Sequence, residues 1–512
     1  MLCETLVLAF AAARALAWTW PDPKLAALDH ARWDQKGYQG GAVNILIEPC
    51  NQWLGALNTG RANAADWIRT AYHDMATHNV DDGTGGLDSS IRFDEELARP
   101  ENAGNSFALA IVHLGSTVNH HVSLADAIAV ALVLSVENCQ GPEIPFRGGR
   151  VDADAPGSAG VPQPQETLDS HIESFRRQGF TQEEMIGIIA CGHSFGGVQH
   201  GFFPDIVPDI TDDNNTQSSA HFDSTFFTFD NNVAKEWIAG TTTNPLVVAA
   251  NDTFNSDKRI FGSDGNSTMS SFAKSPQLFF NTCGKLFAKM IDTVPRDVQL
   301  TDVIEPMLVK PHNLDLVYVS DGELQLSGDV RLWNTTATTV NVRVSGEDGK
   351  VTSTTATHTP QMVGTATGGR YTSSWYSFGL NVSTAASISF EIDGRVEDQN
   401  GEGYALPNTI MFATSSCTVD EETARYDVAI RRDVNIKRLY IASELTDITG
   451  KPDAPQTNFT GTPTAVGAYD IWTSDPVELG PVFAVAELQD GTVVEGSWNA
   501  NPTFGLPRCK DS

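Results

Sequence analysis

Basic residues are scarce in this chain. Its 512 residues hold 33 Lys and Arg against 64 Asp and Glu, a formal charge of −31. Phosphate recognition needs clustered cations, so nucleic acid is not an expected partner, and anionic membrane surfaces are disfavoured. No cysteine pair has CxxC or CxxH spacing, which argues against structural zinc. Beyond the first residues, no uncharged stretch is long enough to cross a bilayer. There is no strict internal repeat. What is present is enough apolar residue, 41%, to exclude global disorder. The length allows about three domains by the usual ~150 residues each.

Residues 1–17 read as a secretory leader, with an apolar run from Leu6 to Ala13 and a small-x-small site at Ala15-Leu16-Ala17. Six Asn-x-Ser/Thr sequons follow, at Asn214, Asn251, Asn266, Asn334, Asn381 and Asn458. Together they predict a secreted, extracellular glycoprotein. Removing Cys3 with the leader leaves Cys50, Cys139, Cys191, Cys283, Cys417 and Cys509. Spacing alone does not assign their pairing. Cys191 reads equally as a small buried hydrophobe or as a partner of Cys283. Cys417 and Cys509 are candidates to staple the C-terminal region.

The patterning changes near residue 300. Before it, capped helices dominate: Ser123 and Asp126 open an apolar run to Val136, and Thr181 with Glu184 forms a capping box ahead of Met185, Ile186, Ile188 and Ile189. After about residue 310, alternating apolar strands flank Asp-Gly pairs at 321–322, 348–349, 393–394 and 490–491, the signature of β-hairpins. The expected fold class is therefore multidomain: an all-α region at 18–305, then an all-β, sandwich-like region at 310–512 with one or two subdomains. Trp333, Trp375, Trp472 and Trp498 in that region are candidates either for core packing or for stacking on sugars.

Two histidine segments carry chemistry. In Trp67-Ile-Arg69-Thr-Ala-Tyr72-His73-Asp74, Arg69 and His73 share a helix face at i,i+4, placing an acid/base group beside a fixed charge. In Cys191-Gly-His193-Ser194-Phe-Gly196-Gly197, a histidine ends a capped helix among small residues. That setting suits a bulky planar ligand approaching the backbone.

In this order, about 120 residues apart, the two segments resemble the secreted fungal haem peroxidases of the plant, fungal and bacterial peroxidase superfamily. The similarity covers roughly residues 40–300. Pro100-Glu-Asn102-Ala-Gly104, Asn138-Cys139-Gln-Gly141-Pro142 and Gly262-Ser263-Asp264 match further segments in register. The resemblance implies haem b held by His193, with Asp264 accepting the second ring N–H of that ligand. It implies a catalytic His73 oriented by Asn102 and assisted by Arg69, reducing hydrogen peroxide through an oxyferryl haem. Two one-electron oxidations of small aromatic donors such as phenols then restore the resting state. Tyr72 would form an aromatic wall of the haem pocket or a radical site, and Phe222 would pack on His193. Two calcium ions are implied. One is expected at Asp74, the Gly86 carbonyl, Asp88 and Ser90, the other at Ser194, Asp223, Thr225, Thr228 and Asp230. Cys50 and Cys139 would pair.

The donor-specific marks of the superfamily are mostly missing. Of the three carboxylate positions of a manganese site, Asp66 alone is acidic, since Ala62 and Gln199 occupy the others. Ile188 stands where lignin and versatile peroxidases place an exposed Trp, and Phe202 where ascorbate peroxidases place an Arg. No catalytic constellation marks the β region, for which contact with cell-wall polysaccharide is one expectation. The competing expectation for the whole chain is an extracellular wall or carbohydrate-binding protein with an inactive peroxidase-like domain.

Overall fold

A helix that is apolar on every face must be buried on every face. Leu124–Asn138 is such a helix, and it runs through the centre of the α-helical half of the computed structural model. The structure describes residues 18–320, 322–446, 452–496 and 505–510. The expected leader, Met1–Ala17, and Trp498 lie outside the described residues.

In chain order, the helices that position the site are α1 (Pro23–Trp33), α2 (Asn63–Met75), α3 (Ser106–Leu114), α4 (Leu124–Asn138), α5 (Leu168–Arg177), α6 (Gln182–Gly192), α7 (Ser256–Phe261), α8 (Ser267–Lys274) and α9 (Pro276–Ile291). Ser123 caps α4 by accepting from the Asp126 N–H, and Thr181 and Glu184 close a reciprocal capping box on α6. The apolar face of α2 (Trp67, Ile68, Ala71, Met75) packs against α4. That packing leaves Arg69 and His73 on another face.

The C-terminal half is built of antiparallel sheets. Each of the four Asp-Gly pairs falls between paired strands, Asp321 itself lying outside the described residues. Val309–Ser320 pairs with Glu323–Trp333, Val340–Ser345 with Val351–Thr355, Ser387–Ile392 with Arg395–Glu397, and Val482–Leu488 with Val493–Glu495. Leu316, Leu326 and Tyr376 of one sheet share a core with Val342, Ile388 and Phe390 of another, which is a sandwich arrangement. A second core gathers Val428, Ile430, Ile441 and Ala484. Trp375 and Trp333 are 0% and 3% exposed, so neither is available to stack on a sugar. Trp472 packs partly buried against the second core.

The two halves interlock in a way the patterning did not announce. Lys36–Gly37, separated from α1 by Asp34 and Gln35, pairs with Val363–Ala366 as an edge strand of the first β sheet. Gly37 sits at φ +94°, and a Cβ there would lie 2.3 Å from the Val363 carbonyl oxygen. Only glycine fits. Beneath this strand lies a buried ion network: Arg331 contacts Asp29 and Asp34 at 2.8 and 2.7 Å, and Lys310 contacts Asp29 at 2.8 Å. It joins α1 to the two leading β strands.

Disulfides link Cys50 to Cys139, Cys191 to Cys283 and Cys417 to Cys509. The second resolves the alternative left open for Cys191. It ties α6, which ends at the histidine, to α9.

Candidate active site

A cavity of about 630 Å³ opens between α2 and α6, and both singled-out histidines line it. On the α2 side, His73 Nδ1 lies 2.7 Å from Asn102 Oδ1. The Asn102 amide nitrogen is already committed as donor to the Glu96 carbonyl at 2.7 Å. The oxygen must therefore face His73 and accept from Nδ1–H, which leaves Nε2 as the basic nitrogen. Burial, with the Arg69 charge beside it, pulls His73 down to about 3, so its ring is neutral at ordinary pH. Arg69 donates to Ser106 Oγ at 3.0 Å and to the Ala103 carbonyl at 2.9 Å, and its guanidinium sits 4.4 Å from the centre of the Phe107 ring. These contacts hold a buried cation without neutralising it.

On the α6 side, His193 is the residue at which the helix stops, so its side chain leaves the end of α6 rather than its flank. Phe222 lies flat against its ring, with centroids 3.9 Å apart and planes 12° apart. His193 Nδ1 is 2.7 Å from Asp257 Oδ2, and that oxygen also accepts from the Asn244 amide at 2.8 Å. Asp257, at 1% exposure, holds Nδ1–H and leaves Nε2 as a free lone pair.

Asp257 replaces Asp264, which the sequence suggested for this role. Asp264 instead caps α8, accepting from the Ser267 and Thr268 N–H groups at 3.0 and 2.9 Å and from Thr268 Oγ1 at 2.6 Å. Gly192, Gly196 and Gly197 all line the cavity, and two of them are also closely packed. A Cβ on Gly197 would lie 2.1 Å from the Ala220 carbonyl, and one on Gly196 would lie 2.5 Å from Ala65 Cβ. Those two serve chain packing, whereas a Cβ on Gly192 would meet nothing closer than 4.0 Å.

Tyr72 also lines the cavity, its ring edge-on to that of His73. It stacks on Phe175 and donates weakly to Gln178 Oε1 at 3.4 Å, and burial pushes its phenol well above the usual range. Asp66, the one acidic residue at a manganese position, accepts from Trp53 Nε1 and from Arg61, each at 2.7 Å. Asp257, Asn244, Ser106 and Glu96 complete the hydrogen bonding of the site and were not singled out by the sequence. The only signal for Asp257 was a Ser-Asp pair, which Ser263-Asp264 duplicates.

Two oxygen-rich clusters flank the cavity. Asp74, fully buried, accepts from the N–H groups of Asp88, Ser89 and Ile91 at 2.7–2.9 Å. Nearby, the buried hydroxyl of Ser90 has no hydrogen-bond partner among the described residues. In the other cluster, Asp223 Oδ1 accepts from the Thr225 N–H at 2.9 Å, while Asp223 Oδ2 is buried without a partner among the described residues. Burial there pushes Asp223 up to about 7. Ser194 Oγ donates to the Cys191 carbonyl, and Asp230 accepts from the Asn232 N–H. Buried carboxylates raised in this way and orphaned oxygens fit a hard cation.

Residues 51–275 match the family model described as Peroxidase. A WSC domain-containing protein of Arthroderma benhamiae is 36% identical over 320 residues, covering 62% of this chain and 43% of that protein. L-ascorbate peroxidase 5, peroxisomal, of Arabidopsis thaliana is 38% identical over 151 residues, 29% of this chain and 53% of that protein. Putative L-ascorbate peroxidase 6 of the same plant is 34% identical over 166 residues, 32% of this chain and 49% of that protein. The chain spans about half the length of the curated relatives it matches. Residues 51–275 thus form a peroxidase domain of the plant, fungal and bacterial superfamily. A region rich in antiparallel β sheet follows it.

Proposed function

We propose that this protein is a secreted haem peroxidase that reduces hydrogen peroxide at the expense of small aromatic donors such as phenols. The observation that carries the reading is one cavity lined by two imidazoles, each with Nδ1 held at 2.7 Å by a fixed acceptor and Nε2 left free. Haem b bound there would supply the two-electron reduction of peroxide and the single-electron oxidation of donors. The donor set fits it: His193 Nε2 would be the ligand, and Asp257 would strengthen that imidazole by drawing on Nδ1–H.

His73 Nε2, neutral and basic, takes the peroxide proton and returns it to the departing oxygen. Asn102 keeps the proton on Nδ1 throughout. Arg69, desolvated and fixed by Ser106 and Ala103, steadies the negative charge that develops as the O–O bond lengthens. Phe202, 41% exposed at the cavity, occupies the position where ascorbate peroxidases carry an Arg. An apolar rim of that kind favours aromatic donors over an anionic one. Calcium at the Asp74 and Asp223 clusters would fix α2 and the segment after α6. The division into a leader at 1–17, a peroxidase domain at 18–305 and a β region at 310–512 belongs to the same proposal. So does extracellular location, which the three disulfides and the sequons support. Among the described residues no helix is long and apolar enough to cross a membrane.

The test is turnover. Haem-loaded protein should oxidise a phenolic dye with peroxide. In His73→Ala the peroxide step should slow beyond the ~10²–10⁴ usual for an acid/base group, because orientation is lost as well. Stopped-flow traces unchanged in that variant contradict the assignment. A haem-free protein that binds wall polysaccharide supports the inactive-domain alternative instead.

A further inference from the structure

Outside the cavity, two clusters of metal-type ligands bridge the two halves among the described residues, and His120, His121 and Glu495 form the better suited of them. It lies in the tight turn before α4. Asn119 pairs with Val122, and Asn119 Oδ1 accepts from the His121 and Val122 N–H groups at 2.9 and 3.0 Å, so His120 and His121 sit on a braced loop. Their rings are 3.8 Å apart. From the β region, Glu495 at the end of strand Val493–Glu495 places Oε2 3.4 Å from Nε2 of each histidine. Glu444 reaches the other side of His120, with Oε1 accepting from its backbone N–H at 2.9 Å and lying 2.7 Å from Nδ1. Phe483 stacks on the His120 ring at 4.0 Å, with the planes 11° apart.

The two kinds of histidine–carboxylate separation differ in meaning. The 2.7 Å contact to Glu444 is an ordinary charge-assisted hydrogen bond. It holds a proton on Nδ1, so that Nε2 is the nitrogen turned toward Glu495. The contacts to Glu495 are longer, 3.4 Å to each ring, beyond the usual span of a charge-assisted hydrogen bond and so weak ones at most. Ligands held at about 2.0–2.1 Å by tetrahedral zinc stand about 3.3 Å from one another, close to that separation. The three ligand atoms lie within 4.8 Å of one another.

We propose that His120, His121 and Glu495 bind a zinc ion that clamps the peroxidase domain to the β region. Glu444 serves as the outer carboxylate that orients His120. Two imidazoles and a carboxylate suit zinc better than calcium, which prefers oxygen ligands throughout. A fourth position is left for water. The missing CxxC spacing excluded cysteine frameworks only; here the ligands come from segments more than 300 residues apart. The second cluster of this type, His30, Asp34 and His312, is less suited. Asp34 is already ion-paired with Arg331, and Lys310 lies close by, so a further cation meets repulsion there.

The test is calorimetric titration of the full-length, haem-loaded protein with zinc chloride. Wild type and His30→Ala should take up one tight equivalent and gain thermal stability with it. His121→Ala and Glu495→Gln should lose both the equivalent and the stabilisation while keeping the haem absorption, since neither residue lines the cavity. Glu444→Gln should weaken binding about 10–100-fold, as removing an outer-shell partner usually does. Zinc-edge X-ray absorption of the wild type reads the ligands directly and should show two imidazoles. No uptake by the wild type, equal uptake by His121→Ala and Glu495→Gln, or a zinc shell without imidazole overturns the proposal.

Discussion

Asp257 and Asp264 each follow a serine, and they stand seven residues apart. A motif of two letters does not choose between them; packing does. Asp257 lies on α7, whose Ile260 and Phe261 are buried and turn the helix toward the cavity. Asp264 precedes Gly265-Asn266-Ser267, a cap sequence, and spends its oxygens on the start of α8. The two therefore have separable consequences. Asp257→Asn should shift the visible spectrum and raise the reduction potential of the bound haem, because His193 becomes a weaker donor. Asp264→Asn should leave the spectrum unchanged and cost about 1 kcal/mol or less of stability, as a modified cap does. Spectra and thermal melts of the pair check this, and a spectral change confined to Asp264→Asn contradicts the geometry. Arg69, His73, Asn102 and His193 were legible because each sits in a distinctive local string. Ser106, Glu96 and Asn244 were not, because polar residues that only complete a hydrogen bond carry no local pattern. His73 also sets a pH behaviour. Its lowered value of about 3 means that the free base is present above that pH and is lost as pH falls through it. The peroxide step, followed by stopped flow, should be flat from about pH 5 to 8.

At the scale of elements, the helices α4 and α6 were readable from caps and apolar runs, and the hairpins from Asp-Gly turns. The edge strand Lys36–Gly37 was not, since two exposed residues have no periodicity to read. Pairing of Cys191 with Cys283 was likewise undetermined, as partners 92 residues apart leave no trace in spacing. That disulfide fastens the helix bearing His193 to α9. Replacing Cys283 by Ser should cost about 2–5 kcal/mol of stability. Thermal unfolding of the variant checks it, together with a broadened haem absorption if α6 loosens. Removing calcium should act on α2 and on the chain after α6 in the same way. Chelation should lower the melting temperature and reduce activity, with recovery on adding calcium back. Activity and melting point unmoved by prolonged chelation count against both calcium sites.

The whole molecule is held by its junction as much as by its cores. Asp29, Asp34, Lys310 and Arg331 are buried together where α1 meets the β region. Removing one partner from such a network leaves uncompensated charge, so Arg331→Met should destabilise the protein by about 3–5 kcal/mol. Denaturant melts measure the loss, and a change under 1 kcal/mol contradicts the reading of a closed network. The β region, whose Trp333 and Trp375 are core residues, acts here as a partner of the peroxidase domain rather than as a free appendage. The account rests on the cavity between His73 and His193, and the haem content of the purified full-length protein tests it most directly. One haem per chain, with a Soret band that is lost in His193→Ala and kept in His200→Ala, is the expected result. Purified protein that takes up no haem, or takes it up equally after His193→Ala, contradicts it.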